Sequence, residues 1–190
     1  MPTSNFYQII DQNTDNIIPI INNFLTSVEW KKYSTQNYIA QNVVGIENLV
    51  LSALPILSDF KNQFGGHLAI LKFPGNCMYN WHKDLNVGCS LNLVSKEYNC
   101  HTLFSPGTHI EDTGPGYKYY NKDGSVAHTS YHLLELVELK YQPKKFYIFN
   151  SQIRHSIINL DQDRVLISYL FPKSTTYEEV KGWYNNYHAK

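Results

Sequence analysis

Residues 153–171 read IRHSIINLDQDRVLISYLF: two runs of β-branched and apolar residues separated by Leu160-Asp161-Gln162-Asp163. Val, Ile, Tyr and Phe favour the pleated backbone, and a polar tetrapeptide between such runs reads as a turn. The stretch predicts strands over Ile153–Asn159 and Arg164–Phe171, joined as a hairpin. In that register Asn159 faces Arg164, Ile157 faces Leu166 and His155 faces Ser168, with all six side chains on one face. His155 and Arg164 then look into one cavity, their Cα atoms roughly 13 Å apart for four residues along a strand.

On the N-terminal side the same texture of short β-forming runs broken by turn residues begins at Leu68. It predicts further strands at Leu68–Phe73, Val87–Val94, His101–Phe104, Leu133–Leu139 and Phe146–Phe149, the rhythm of an antiparallel sandwich or barrel. The load of 15 Tyr, 9 Phe and 3 Trp fits a β-rich core. Before residue 62 the pattern is helical. Ile46, Leu49, Val50, Leu54, Leu57 and Phe60 recur at helical spacing despite Pro55, and Asp15 to Trp30 offers a weaker second pattern, so two helices are expected there. Thr175 with Glu178 resembles a capping box and predicts a short terminal helix. The fold class expected is mainly β with flanking helices, an α+β arrangement whose N-terminal helices pack on one sheet. No composition shift divides the 190 residues, so one domain is expected over 1–190, with helical support in 1–65, the β core in 66–172 and the short helix in 173–190.

Sixteen basic and sixteen acidic residues cancel, so no net field draws in a polyanion and nucleic acid is not an expected partner. Residues 1–9 lack a charged and then apolar leader, and no run approaches the ~20 apolar residues of a membrane span. A soluble, cytoplasmic protein is expected. Cys77, Cys89 and Cys100 show no paired spacing, which argues for reduced thiols, and Cys100-His101 has no second half at zinc-finger spacing.

His82 and Asp84 are one residue apart, so on an extended backbone both side chains emerge from one face. Alone the pair is common, and its plain reading is a solvated turn. His155, on a later strand, supplies a third ligand. Two imidazoles and a carboxylate on one face of an octahedron leave three positions open, the pattern of a non-haem iron(II) centre that takes a bidentate co-substrate and oxygen. Arg164 offers a planar, permanently charged fork to a carboxylate. Its plain alternative is a local ion pair with Asp161 or Asp163. The remaining histidines, His67, His101, His109, His128, His132 and His188, match no ligand spacing. Trp81 and Tyr79 read as packing residues. Ser105 to His132 forms a long aperiodic segment, either a substrate lid or a surface excursion; His109, His128, Tyr117, Tyr119 and Tyr120 within it are candidates for substrate contact.

Phe73-Pro74-Gly75-Asn76, Trp81-His82-Lys83-Asp84, Phe146-Tyr147-Ile148-Phe149-Asn150-Ser151, His155 and Arg164 to Phe171 together resemble the 2-oxoglutarate and iron(II)-dependent oxygenases, the prolyl-hydroxylase-like branch above all. The similarity runs from about Leu68 to Phe171. It implies a double-stranded β-helix, or jelly roll, with a metal at the open end of the barrel, His82, Asp84 and His155 as iron ligands and Arg164 as the anchor of the 2-oxoglutarate carboxylate. Four departures stand out. Where the branch often has an aromatic hydroxyl for the co-substrate, the chain has Cys89-Ser90-Leu91-Asn92-Leu93, which leaves Asn92 or Ser90 to serve. Phe73 and Cys100-His101 stand where relatives commonly have Tyr and Gly-Gly. Val165-Leu166 after Arg164 leaves Ser168 to supply the hydroxyl of the usual Arg-x-Ser.

The implied activity is hydroxylation of an unactivated carbon of a peptide or amino-acid side chain, or of a small metabolite. O2 is consumed and 2-oxoglutarate is converted to succinate and CO2, with ascorbate as an accessory reductant. Asp84 argues against halogenating variants, which need that position vacated. The rival readings are a metal-binding jelly roll without activity and a zinc hydrolase built on the same triad.

Overall fold

A computed structural model describes residues 5–33, 37–105 and 136–188. Among the described residues eleven strands and four helices follow the order β1 (Tyr7–Ile10), α1 (Ile18–Leu25), β2 (Trp30–Lys32), β3 (Tyr38–Ala40), α2 (Val43–Ala53), α3 (Pro55–Phe64), β4 (His67–Phe73), β5 (Cys77–His82), β6 (Val87–Leu93), β7 (Cys100–Ser105), β8 (Val137–Leu139), β9 (Phe146–Phe149), β10 (Arg154–Asn159), β11 (Arg164–Pro172) and α4 (Tyr177–His188). They form a seven-stranded sheet in the order β1-β9-β6-β11-β4-β3-β2 and a four-stranded sheet in the order β5-β10-β7-β8. Their strand pairings are antiparallel.

β11 shows why its sequence reads as nearly continuous apolar residues: both faces of the strand are covered. Ile167, Tyr169 and Phe171 join a cluster with Ile21, Ile46, Val50, Leu57, Phe60 and Val180 of the helices, which therefore pack on the outer face of the larger sheet. Leu166, from the opposite face, joins Phe73, Phe104, Tyr141, Phe149 and Ile157 between the sheets. Burying such side chains contributes roughly 1.5–3 kcal/mol each, so the alternation fixes the register of the strand.

The hairpin expected from residues 153–171 does not form. β10 pairs with β5 and β7, whereas β11 pairs with β4 and β6. Residues 160–163 instead carry the chain from one sheet to the other, and Leu160 is tied to neighbouring loops, donating to Asn99 O and accepting from Asn76 N. Local sequence specifies a turn, but the strands on either side are claimed by distant partners. The helical half also differs in detail. Among the described residues three helices precede residue 65, because Leu54, which precedes Pro55, sits at φ −134° and ψ 88° and breaks the apolar pattern into α2 and α3. The capping box lies one residue later than expected: Thr176 N–H donates to Glu179 Oε2 at 2.7 Å and Glu179 N–H to Thr176 Oγ1 at 3.3 Å. Strands β1, β2, β3 and β5 were not anticipated. The expected strand Leu133–Leu139 is seen as β8, and its residues before 136, like 106–132 of the long segment, lie outside the described residues. Among the described residues no single helix is long and apolar enough to cross a membrane.

A candidate metal and diacid site

His82 and His155 are brought together by the β5–β10 ladder, in which they are direct partners. Two steps along β10, Ile157 pairs with Tyr79, so three steps of β5 oppose two of β10 and β5 carries a bulge. The bulge turns Tyr79 and His82, at odd spacing, towards the same cavity. Ser156 Oγ braces it by donating to Tyr79 O at 2.7 Å. Asp84 follows in the turn after β5. Its Oδ1 lies 3.5 Å from His82 Nε2 and 3.9 Å from His155 Nε2. One ligand atom from each of the three residues falls within 4.8 Å of the others, and among the described residues they form the one cluster able to hold a metal ion.

His155 is 4% exposed and stands edge-on to Phe149 at 4.9 Å between ring centroids. Its Nδ1 lies 2.9 Å from Ile153 O, an acceptor only, so Nδ1 carries the proton and Nε2 presents a lone pair to the cluster. Burial, reinforced by the neighbouring His82 and opposed by Asp84 and the Ile153 carbonyl, lowers its pKa to about 4. The imidazole is thus neutral at ordinary pH, the form that binds metal.

Arg164 begins β11 and is 0% exposed. Its Nη1 donates to Thr102 Oγ1 at 3.1 Å and to Cys100 Sγ at 3.5 Å, and the guanidinium sits 4.7 Å from the Tyr141 ring centre. Nε and Nη2 are buried without a hydrogen-bond partner. The local ion pair with Asp161 or Asp163 does not form. Asp163 faces Lys72 and Gly75 N–H, and Asp161 accepts from Asn99.

A cavity of about 580 Å³ is lined by the triad, Arg164, Thr102, Tyr141, Ser90, Asn92 and Ser168, and continues past His67, Leu71 and Ile39. The expected metal and diacid residues His82, Asp84, His155, Arg164, Ser90, Asn92 and Ser168 therefore line one space, although His155 and Arg164 arrive from opposite sheets. Two of them also hydrogen-bond within the cavity wall. Ser168 Oγ donates to Asn92 Oδ1 at 2.6 Å, and Asn92 Nδ2 donates to Tyr141 Oη at 3.0 Å, so Ser168 and Asn92 orient a third residue. Tyr141 was missed. It lies in the β8–β9 connection, in the polar stretch Lys140-Tyr141-Gln142-Pro143 that reads as loop, and it brings an aromatic hydroxyl from a part of the chain where the resemblance gave no reason to look. Of the other histidines, His101 pairs with Glu138 at 2.5 Å. His109, His128, His132, Tyr117, Tyr119 and Tyr120 lie outside the described residues. The three thiols are unpaired, and burial pushes the Cys89 thiol well up.

No family model and no curated protein sequence matches the chain. Solved structures do. HygX from Streptomyces hygroscopicus, with nickel and 2-oxoglutarate bound, matches with a TM-score of 0.59 at 10% identity over 90% of this chain and 84% of its own. The chain has the fold of the 2-oxoglutarate/Fe(II) oxygenases. An oxidoreductase of the 2OG-Fe(II) oxygenase family from Burkholderia pseudomallei matches with a TM-score of 0.56 at 9% identity, over 91% of this chain and 87% of that one. The epimerase SnoN from nogalamycin biosynthesis, in complex with Fe3+, alpha ketoglutarate and nogalamycin RO, gives 0.58 at 12% identity, over 87% and 78%. At these identities the oxygenase likeness is one of fold.

Proposed function

We propose that the protein is a 2-oxoglutarate- and iron(II)-dependent oxygenase that hydroxylates an unactivated carbon of a small molecule. Arg164 carries the reading. A guanidinium withdrawn from water with two donor atoms unpaired costs several kcal/mol, a cost offset when a ligand brings the missing charge. Nε and Nη2 of Arg164 form a fork suited to a carboxylate, in the same cavity as two imidazoles and one carboxylate suited to a divalent ion.

The donor set fits iron(II), with His82 Nε2, His155 Nε2 and an Asp84 oxygen on one face. When bound, the iron and 2-oxoglutarate supply the oxidative chemistry, in which 2-oxoglutarate becomes succinate and CO2 as O2 is consumed. The protein's own groups bind and orient. Arg164 grips the distal carboxylate of the diacid and Tyr141, positioned by Asn92, donates to it. Ile153 O holds the His155 tautomer, while Phe104, Phe149 and Leu166 keep water from the chamber. A small-molecule acceptor is favoured by the size of the cavity, within the range of ordinary small-ligand pockets. It is also favoured by HygX and SnoN, solved with hygromycin B and nogalamycin RO. The prolyl-hydroxylase-like branch rests on the combination of the motifs at 73–76, 81–84 and 146–151 with His155 and residues 164–171.

A zinc hydrolase could use the same triad but has no use for the Arg164 fork, and an inactive binding module turns nothing over. Purified protein with iron(II), ascorbate and 2-oxoglutarate in air separates these readings. Succinate formed by the native protein but not by His155→Ala is expected; equal succinate from both contradicts the proposal.

A further inference from the structure

We infer that Gln152, held by Lys173, is a positioning residue for the carboxylate arm of the metal site. The inference rests on the reading of His82, Asp84 and His155 as ligands. The two imidazoles are fixed by the β5–β10 ladder, but Asp84 lies beyond the end of β5, in the turn that leads to Leu85, an 85% exposed side chain. A ligand on an exposed turn is placed no better than its backbone.

That backbone is clamped from one side. Asp84 N–H donates to Ser151 O at 3.1 Å. Asp84 O accepts from Gln152 Nε2 at 3.0 Å and from Lys173 Nζ at 3.1 Å. Val87 O, at the other end of the turn, accepts from the same Gln152 Nε2 and from Ser151 Oγ at 3.0 Å. Gln152 Oε1 in turn accepts from Lys173 Nζ. The orientation of the amide follows from chemistry, since two carbonyls require its NH2 and an ammonium requires its oxygen.

An independent feature admits Lys173. A Cβ on Gly88 would lie 2.1 Å from Thr175 O, 2.8 Å from Pro172 O and 2.9 Å from Lys173 O, so only glycine lets residues 172–175 approach the turn this closely. Gln152 also precedes His155 by three residues. One side-chain amide therefore couples the carboxylate arm to the strand that bears an imidazole arm, as outer hydrogen bonds do in other metal sites.

Metal binding tests this without turnover. Free Mn(II) is followed by its electron paramagnetic resonance during titration of wild type, Gln152→Ala, Gln152→Glu and Lys173→Met, and 2-oxoglutarate affinity is then measured at saturating Mn(II). Gln152→Ala is expected to bind Mn(II) about tenfold or more weakly. Its 2-oxoglutarate affinity at saturating metal should stay within about twofold of wild type, because Arg164 is untouched. Gln152→Glu keeps the shape and the Lys173 contact but turns lone pairs towards two carbonyls, so it should bind Mn(II) as poorly as Gln152→Ala; a packing role predicts near-native binding. Lys173→Met, at an exposed position, should shift affinity in the same direction by less, and it carries the test should Gln152→Ala not fold. Wild-type Mn(II) affinity in the Gln152 and Lys173 variants overturns the inference. A wild-type protein that takes up no Mn(II) overturns the metal-site reading itself, and the clamp with it.

Discussion

Asn92 hands its amide protons to Tyr141: Nδ2 donates to the phenolic oxygen at 3.0 Å, while Ser168 Oγ holds Asn92 Oδ1 at 2.6 Å. With its oxygen accepting from Asn92, the hydroxyl keeps its own proton to donate to another acceptor, and Tyr141 lines the cavity together with Arg164. Burial pushes the phenol to about 12, against the opposing pull of Arg164, so the proton is present at any working pH. Tyr141→Phe deletes one hydrogen bond to a charged ligand, worth about 1.5–3 kcal/mol. The KM for 2-oxoglutarate should therefore rise by roughly tenfold or more with kcat little changed, read from succinate release against 2-oxoglutarate concentration. An unchanged KM would assign the hydroxyl to packing alone.

Arg164→Met separates a binding role from a structural one. The substitution replaces a buried cation with two unpaired donors by an apolar chain of similar length, a change that in other cores has been neutral or stabilising. The melting temperature of the metal-free protein should hold or rise, while the 2-oxoglutarate requirement should increase on the order of 100-fold through loss of a bidentate charged contact. A fall of many degrees in melting temperature would mean that the guanidinium mainly holds the sheets together.

Acid should weaken the metal-free protein through His155. Its pKa is about 4 when folded and 6.5 for the free side chain, so between those values the unfolded chain binds a proton that the folded one refuses. Stability is then complete above pH 6.5 and declines as pH falls towards 4, by on the order of 3 kcal/mol. Denaturant unfolding across this window, compared with His155→Gln, isolates the contribution: the variant should lose the slope that this residue supplies.

Metal should stabilise the fold through the triad. A divalent ion at 100 times its Kd adds about 2.7 kcal/mol if it binds only the folded state. Thermal unfolding with Mn(II) should show the gain in wild type, its reversal by chelator, and its absence in Asp84→Ala and His155→Ala.

Much of this site could be read before the fold was known, and particular residues explain why. His82, Asp84, His155 and Arg164 carry their chemistry in residue type and order, which survive an error in topology. The mistaken hairpin between β10 and β11 left them in one cavity because His155 and Arg164 still point inward from their own sheets, towards His82 on β5 and Asp84 just beyond it. Gln152 and Lys173 were invisible for the opposite reason. They are ordinary polar residues whose meaning lies in a contact between segments 21 residues apart, made possible by a glycine elsewhere. Tyr141 sits in a connection rather than a strand, so no alternation marked its inward face. β5 escaped notice because its bulge destroys the period of two on which strand reading depends.

The most direct measurement is a crystal structure grown anaerobically with Mn(II) and 2-oxoglutarate. It should show the metal held by His82 Nε2, His155 Nε2 and an Asp84 carboxylate oxygen, with the distal carboxylate of the diacid on Arg164 Nε and Nη2 and on the Tyr141 hydroxyl. A metal bound elsewhere, or a diacid that leaves the Arg164 fork unpaired, would contradict the account.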